Sequence, residues 1–268
     1  MTIIDAHCHA SPIWYEPVEA LLFQMDRNGV ERAVLTQLLG QFDNGYQTEA
    51  IARFPGRFAQ VGAIDPSAPD AAERIAQGAA RGMAGLRLRT DARSPGANPL
   101  AVWRSAAQAG LAVSCAGSAA GFLTADFVEL AAAFPQMPFV LEHLAGWVRP
   151  DCDRAPATWQ GILTLAHLPN VMVKVPGLGQ IAPRPVGMTL PASGPVLDEK
   201  QGAILLELLS AFGADRLMWG SDFPLASSRE GYGNALNWTR EIFAARPAEE
   251  INAIFGGNAD RIFFSHAA

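Results

Sequence analysis

The run Thr2-Ile3-Ile4-Asp5-Ala6-His7-Cys8-His9-Ala10-Ser11-Pro12 opens the chain and decides how the rest of it is read. A short apolar, β-branched stretch leads directly into two histidines spaced i, i+2. On a strand that spacing puts both imidazoles on one face, about 7 Å apart, and turns Cys8 to the other. Two neutral imidazoles converging at a strand end could share a divalent cation or flank a substrate. The alternative is a pair of histidines with only local hydrogen bonds. An open dinucleotide-binding sheet would carry a glycine-rich turn where His-Cys-His stands.

Outward from this stretch, apolar strand-like runs alternate with helical patterns along nearly the whole chain. Strands are expected at Ile3–His7, Ala33–Leu38, Phe58–Ile64, Met83–Leu88, Leu111–Cys115, Pro138–Glu142, Val171–Val175 and Leu217–Gly220. Between them Val18, Leu21, Leu22 and Met25 recur at i, i+3, i+4, i+7, and Ile204, Leu205, Leu208, Leu209 and Phe212 mark a second strong amphipathic face. Eight strands in strict alternation with helices predict a (β/α)8 barrel, the TIM-barrel architecture. No repeat, charge run or Ser/Gly linker marks a boundary, so residues 1–268 are expected to form one domain. The Pro- and Gly-rich piece from Pro176 to Pro195 is expected to be a loop over a site.

Composition narrows the function classes. A formal charge of −6 and a pI near 5.4 argue against nucleic acid or an anionic membrane as partner. Cys8, Cys115 and Cys152 are too few and too scattered for a disulfide framework, which suits a reducing compartment. With no signal-like or membrane-spanning apolar run, a soluble cytoplasmic protein is expected. No Gly-X-Ser-X-Gly elbow points to a serine hydrolase, and neither Cys8 nor Cys115 has a placed base.

In a barrel of this kind chemistry sits at the carboxyl ends of the strands. Polar residues stand there repeatedly: His7 and His9, Arg87 and Arg89, Ser114, His143, Lys174, and Asp222 within Trp219-Gly220-Ser221-Asp222-Phe223-Pro224. Arg87 and Arg89 alternate with Leu86 and Leu88, so both guanidinia face one side of the fourth strand. Facing the lumen they could grip a substrate carboxylate or polarise a carbonyl; facing outward they would make salt bridges. A buried Lys174 could anchor an anion or pair with Glu142. Trp14, Trp147 and Trp219 could wall the pocket or simply pack.

Three stretches together, Asp5-Ala6-His7-Cys8-His9 with Pro12, Leu141-Glu142-His143-Leu144-Ala145-Gly146, and Trp219 to Pro224, resemble the amidohydrolase superfamily. The similarity runs in motif order from residue 2 to about Phe264. It is nearest to the amidohydrolase-related group with 2-pyrone-4,6-dicarboxylate lactonase and sugar-lactone hydrolases; a sister branch holds nonoxidative decarboxylases. The resemblance implies a hydrolase with His7, His9, His143 and Asp222 at its centre. It implies one divalent ion, Zn²⁺ or Mn²⁺, on those four residues. The ion would lower the pKa of a water and polarise the carbonyl, with Asp222 moving the proton. In the pyrone lactonase branch the matching residues act without metal, and that mechanism stays open here. Asp222 and His143 are the expected catalytic residues, and Arg87, Arg89, Lys174 and Trp147 the expected substrate contacts. The expected reaction is opening of a lactone ring in a small carboxylated or sugar-derived substrate. The rivals are decarboxylation of an aromatic or muconate-like acid and a non-catalytic ligand-binding barrel.

Overall fold

Eight parallel strands run in chain order around one sheet of the computed structural model, which describes residues 2–182 and 199–265. They are β1 (Ile4–Cys8), β2 (Arg32–Thr36), β3 (Phe58–Ala63), β4 (Gly85–Arg89), β5 (Ala112–Ala116), β6 (Phe139–Leu141), β7 (Val171–Val175) and β8 (Leu217–Trp219). Helices fill the connections, among them Val18–Arg27, Ala71–Ala80, Ala125–Ala133, Glu199–Phe212 and Tyr232–Ile242. This is the (β/α)8 barrel. The expected strands fall within one or two residues of the observed ones, because each is apolar on both faces and bounded by turn residues.

Two apolar layers hold it together. Ile4, Ala6, Val34, Val61, Val140, Met172 and Met218 pack with Ile262 and Phe263 of the helix Asn258–Phe263 into one cluster, the lumen and its plug. The larger cluster lies between strands and helices, with Trp103 stacked on Phe139 at 5.8 Å and Trp219 on Phe255 at 6.3 Å. Fully burying each such side chain contributes roughly 1.5–3 kcal/mol.

Strict alternation fails at one place, and that place matters. Ile4 and Ala6 face the lumen, so Cys8 should follow them. The register shifts between Asp5, opposite Ala33, and Cys8, opposite Leu35, which is a β-bulge. The extra residue returns Cys8 to the helix layer, where its Sγ donates to the Val34 carbonyl at 3.3 Å. It turns His7 and His9 inward instead; bulges beside sites commonly re-aim side chains this way.

The barrel closes between β1 and β8 not by a ladder but by a few pins at its carboxyl end. Asp222 N donates to the His7 carbonyl at 2.8 Å, and His9 N donates to the Phe223 carbonyl at 2.8 Å. Below them the buried Asp5 carboxylate accepts from Ser221 N, Ser221 Oγ and Tyr232 Oη, at 2.9, 2.6 and 3.0 Å. Gly220 permits this approach, since a Cβ there would lie 2.6 Å from the Cβ of His7. The seam that closes the fold therefore carries its functional residues.

Candidate active site

His7, His9 and Asp222 meet where the seam opens into the barrel mouth. Their ligand-capable atoms lie within 4.8 Å of one another, and all three side chains are buried. Asp222 Oδ1 is 3.4 Å from His9 Nε2 and 3.8 Å from His7 Nε2, and it has no hydrogen-bond partner. Its other oxygen is held: Oδ2 accepts from Gln180 Nε2 at 2.5 Å and from Arg229 Nη1 at 3.0 Å. Burial alone would raise the Asp222 pKa. The facing His9, His143 and Arg229 outweigh it and hold the carboxyl below its usual value.

His143 joins from β6 with its ring edge-on to His7, 5.0 Å between centroids. Its backbone is unusual: His143, Leu144 and Ala145 have φ of 55°, 53° and 53°, followed by Gly146 at 77°. This is a left-handed turn made largely of L-residues, costing about 1–2 kcal/mol per residue. It is tied down by Gly146 N donating to the Glu142 carbonyl and Leu144 N to that of Lys174. Gly146 has no alternative, because a Cβ would fall 2.6 Å from Ala119 N. Strain of this kind persists where the surroundings over-determine the conformation, commonly at functional sites.

Each imidazole has an orienting partner. His9 Nδ1–H donates to the Thr36 carbonyl at 2.7 Å, and His143 Nδ1–H to Gln180 Oε1 at 3.1 Å, leaving both Nε2 lone pairs free. Gln180 thus bridges His143 and Asp222. His7 differs. Lys174 Nζ lies 2.8 Å from His7 Nδ1 and donates to Ser114 Oγ at 2.8 Å. Burial lowers Lys174 to about 8 and pushes His7 well below its ordinary value, keeping the ring neutral. An ammonium donating to Nδ1 puts the ring proton on Nε2; a neutral amine accepting from Nδ1 leaves Nε2 bare. With the second arrangement the donor set fits one divalent ion: two orphaned buried atoms, His7 Nε2 and Asp222 Oδ1, face each other across it beside His9 Nε2.

Behind the histidines lies a second polar group. Arg87 donates to Glu142 through Nε at 2.9 Å and Nη2 at 2.6 Å, and to the Gln37 carbonyl through Nη1 at 2.8 Å. Ser114 Oγ donates to Glu142 Oε1 at 2.7 Å. Burial opposes ionisation of Glu142, but the charges of Arg87 and Lys174 prevail and hold it far below the usual carboxylate range. Lys174 reaches Glu142 only through Ser114, so the expected direct pair is replaced by a relay.

Not every expected residue arrives. Arg89 sits at the exposed end of β4, where its guanidinium pairs with Asp91 at 3.0 and 3.3 Å. β4 ends there, so the side chain has passed the rim rather than entered the lumen. Trp147 packs on Trp159 at 5.1 Å instead of walling the cavity, and the buried Trp219 donates to the Ala235 carbonyl. Trp14 does line the mouth. A cavity of about 430 Å³ there is bounded by His9, His143, Asp222 and Arg87 below and by Trp14 and Leu39 above. Of the Pro176–Pro195 loop, residues 183–195 lie outside the described residues; the described part includes the helix Leu178–Ile181, which supplies Gln180. Gln180, Arg229 and Asp5 were not anticipated. Asp5 alone carried a signal, its place in Asp-Ala-His-Cys-His.

Comparison with known proteins follows the same line. A curated relative, the uncharacterised protein y4mH of Sinorhizobium fredii, is 30% identical over 135 residues, half of this chain and 41% of that protein's length. A Pseudomonas putida structure assigned as a 2-pyrone-4,6-dicarboxylic acid hydrolase is 25% identical, with a TM-score of 0.74 over 98% of this chain and 97% of that one. A zinc-bound amidohydrolase of Burkholderia multivorans shares the fold at a TM-score of 0.76 and 23% identity, over 100% and 99% of the two chains. So does 5-carboxyvanillate decarboxylase of Sphingomonas paucimobilis, at 0.63 and 17%, over 98% of each. The family model for amidohydrolases matches residues 4–264, and this chain belongs to that family.

Proposed function

We propose that this protein hydrolyses the lactone ring of a small molecule, with Asp222 as the group that activates water. The observation that carries the reading is the asymmetry of the Asp222 carboxylate. Oδ2 is clamped by Gln180 and Arg229, while Oδ1 is buried, unpartnered and turned toward the histidines. A carboxylate held below its ordinary pKa is ionised at neutral pH and ready to accept a proton.

Asp222 Oδ1 takes a proton from water as the water oxygen bonds to the lactone carbonyl carbon and the carbonyl π electrons move to oxygen. The free Nε2 of His143 accepts the water's second hydrogen and fixes its orientation. The N–H groups that Arg87 has left over face the developing oxyanion. On collapse the ring C–O bond breaks, and Asp222 returns its proton to the departing oxygen, giving a hydroxy acid. When bound by His7, His9, His143 and Asp222, a divalent cation such as zinc would add Lewis acidity at the carbonyl. We also take residues 1–268 to act as one domain on a small molecule rather than on nucleic acid or a membrane. Among the described residues no helix is long and apolar enough to cross a membrane.

A panel of lactones, followed by base consumption, tests this alongside elemental analysis of the purified protein. Asp222→Asn is expected to lower kcat by about 10³-fold, the scale of a lost general base. Release of CO2 from aryl acids without base consumption would move the assignment to a decarboxylase. Chelation that removes metal without loss of turnover would select the metal-free mechanism.

A further inference from the structure

The cavity above the histidines is built of two unlike materials. Its floor is polar and its charges are paired: Arg87 is on Glu142 and the Gln37 carbonyl, and Asp222 is held through Oδ2 by Gln180 and Arg229. The rest of its wall is Trp14, Tyr15, Leu38, Leu39 and Leu225, with Gln41 as its one amide. These are not stray surface residues. Among the described residues seven large apolar side chains are exposed, and three of them, Trp14, Leu39 and Leu225, from the segments following β1, β2 and β8, line this cavity, with Ile13 beside Trp14 in the chain. Trp14 is 69% exposed and Ile13 82%. Single exposed apolar residues need no explanation, but a cluster continuous with a polar cavity marks a surface that something apolar covers.

Charge points the same way. Around the mouth four arginines already have a carboxylate partner, Arg87 with Glu142, Arg229 with Asp222, Arg89 with Asp91, and Arg149 with Asp151, while Arg93 donates to the Thr90 and Ala92 carbonyls. Lys174 lies beneath the histidines, 2% exposed, and is spent on His7 and Ser114. A substrate carboxylate bound at Arg87 or Arg229, beside the histidines, would therefore have to displace an existing pair.

Resting on the lactonase reading, we propose that the preferred substrate is a neutral lactone bearing an apolar arm, which lies against Trp14, Leu39 and Leu225 while the ring carbonyl meets the histidines. It differs from the carboxylated or sugar-derived substrate expected from the sequence. Trp14 and Leu39 are then specificity-determining residues that never touch the reacting atoms.

The test separates arm from chemistry. Hydrolysis of γ-lactones with side chains from methyl to heptyl is compared with that of ring-carboxylated lactones of equal size. We expect kcat/KM to rise roughly two- to fourfold per methylene until the wall is covered. The Trp14→Ala, Leu39→Ala double variant should cut the heptyl-to-methyl ratio at least tenfold. Binding of the corresponding 5-alkyl-2-pyrrolidinones, which resist hydrolysis, is measured by calorimetry and does not depend on turnover. Lactam affinity that climbs with chain length while no lactone is hydrolysed would keep the apolar arm and sink the hydrolase. Hydrolysis with flat chain-length dependence, or with preference for carboxylated rings, would sink the arm and keep the hydrolase. Concentration-dependent dimers that the double variant abolishes, with lactam binding indifferent to chain length, would assign the apolar rim to a second copy and also overturn the proposal.

Discussion

The two ends of the barrel lumen are built on opposite principles from the same eight strands. At the amino end Ile4, Val61, Val140, Met172 and Met218 close around Phe263 in an apolar cluster. At the carboxyl end Asp222, His7, His9, Glu142, Arg87 and Lys174 are all buried, and two of their polar atoms, His7 Nε2 and Asp222 Oδ1, lack partners. One end gains stability by removing apolar surface from water. The other gives stability up, through desolvated charge and a left-handed turn, to hold reactive groups in a fixed arrangement. Function and folding energy are thus separated along one axis, about one strand length apart.

The comparison breaks first if a pair of substitutions fails to separate activity from stability. Asp222→Asn should remove about 10³-fold of kcat, equivalent to about 4 kcal/mol of barrier, and move the unfolding midpoint little. Phe263→Ala should do the reverse. Truncating a side chain that is 2% exposed at the plug is expected to cost about 3–5 kcal/mol in denaturant unfolding, with kcat/KM within about twofold of the parent. If Phe263→Ala lowers kcat as much as stability, the two ends are mechanically coupled and the division fails.

Lys174 sharpens the same contrast through pH. Burial brings its folded pKa down from 10.5 to about 8. Below pH 8 the amine is protonated in both states and the folded protein carries the full burial penalty. Between 8 and 10.5 the unfolded chain holds a proton that the folded one has released, so stability from this group rises with pH. Above 10.5 both states are neutral and the penalty is gone. Because tyrosines and other lysines titrate nearby, the informative quantity is wild type minus Lys174→Met. That difference should climb by up to ~3 kcal/mol across the window. A difference that stays constant would show that Lys174 is charged throughout and that His7 keeps its proton on Nε2.

Much of the apolar end could be read from residues alone, because burial on both strand faces leaves runs such as Val171-Met-Val-Lys-Val that nothing else explains. The carboxyl end was readable only in part. His7, His9, His143 and Asp222 stand beside strand ends, where the fold itself directs attention. The bulge that aims the two histidines was hidden, since alternation starting from His7 and alternation starting from Ile4 contradict each other without it. The left-handed turn after Glu142 was hidden as well: Leu144 and Ala145 carry no signal for positive φ, and only Gly146 does. Gln180 and Arg229 reach Asp222 across 42 and 7 positions of chain, contacts that no local pattern encodes.

Arg87 and Arg89 offer the smallest test and the most direct one, being two residues apart on one strand and one face. The first is 8% exposed and bound bidentately to a buried carboxylate; the second is 67% exposed at the side chain and paired with Asp91 in solvent. An exposed pair of this kind contributes at most about 1 kcal/mol, and salt screens it further. Arg89→Ala should therefore change stability by under about 1 kcal/mol and leave kcat/KM for neutral lactones within twofold, as measured by unfolding and steady-state hydrolysis. Were Arg89 instead a substrate clamp that abandons Asp91 on binding, the variant would raise KM for carboxylated rings at least tenfold while sparing neutral ones. That result would extend the polar region past the rim, and the boundary between holding and reacting would have to be drawn one residue pair further out.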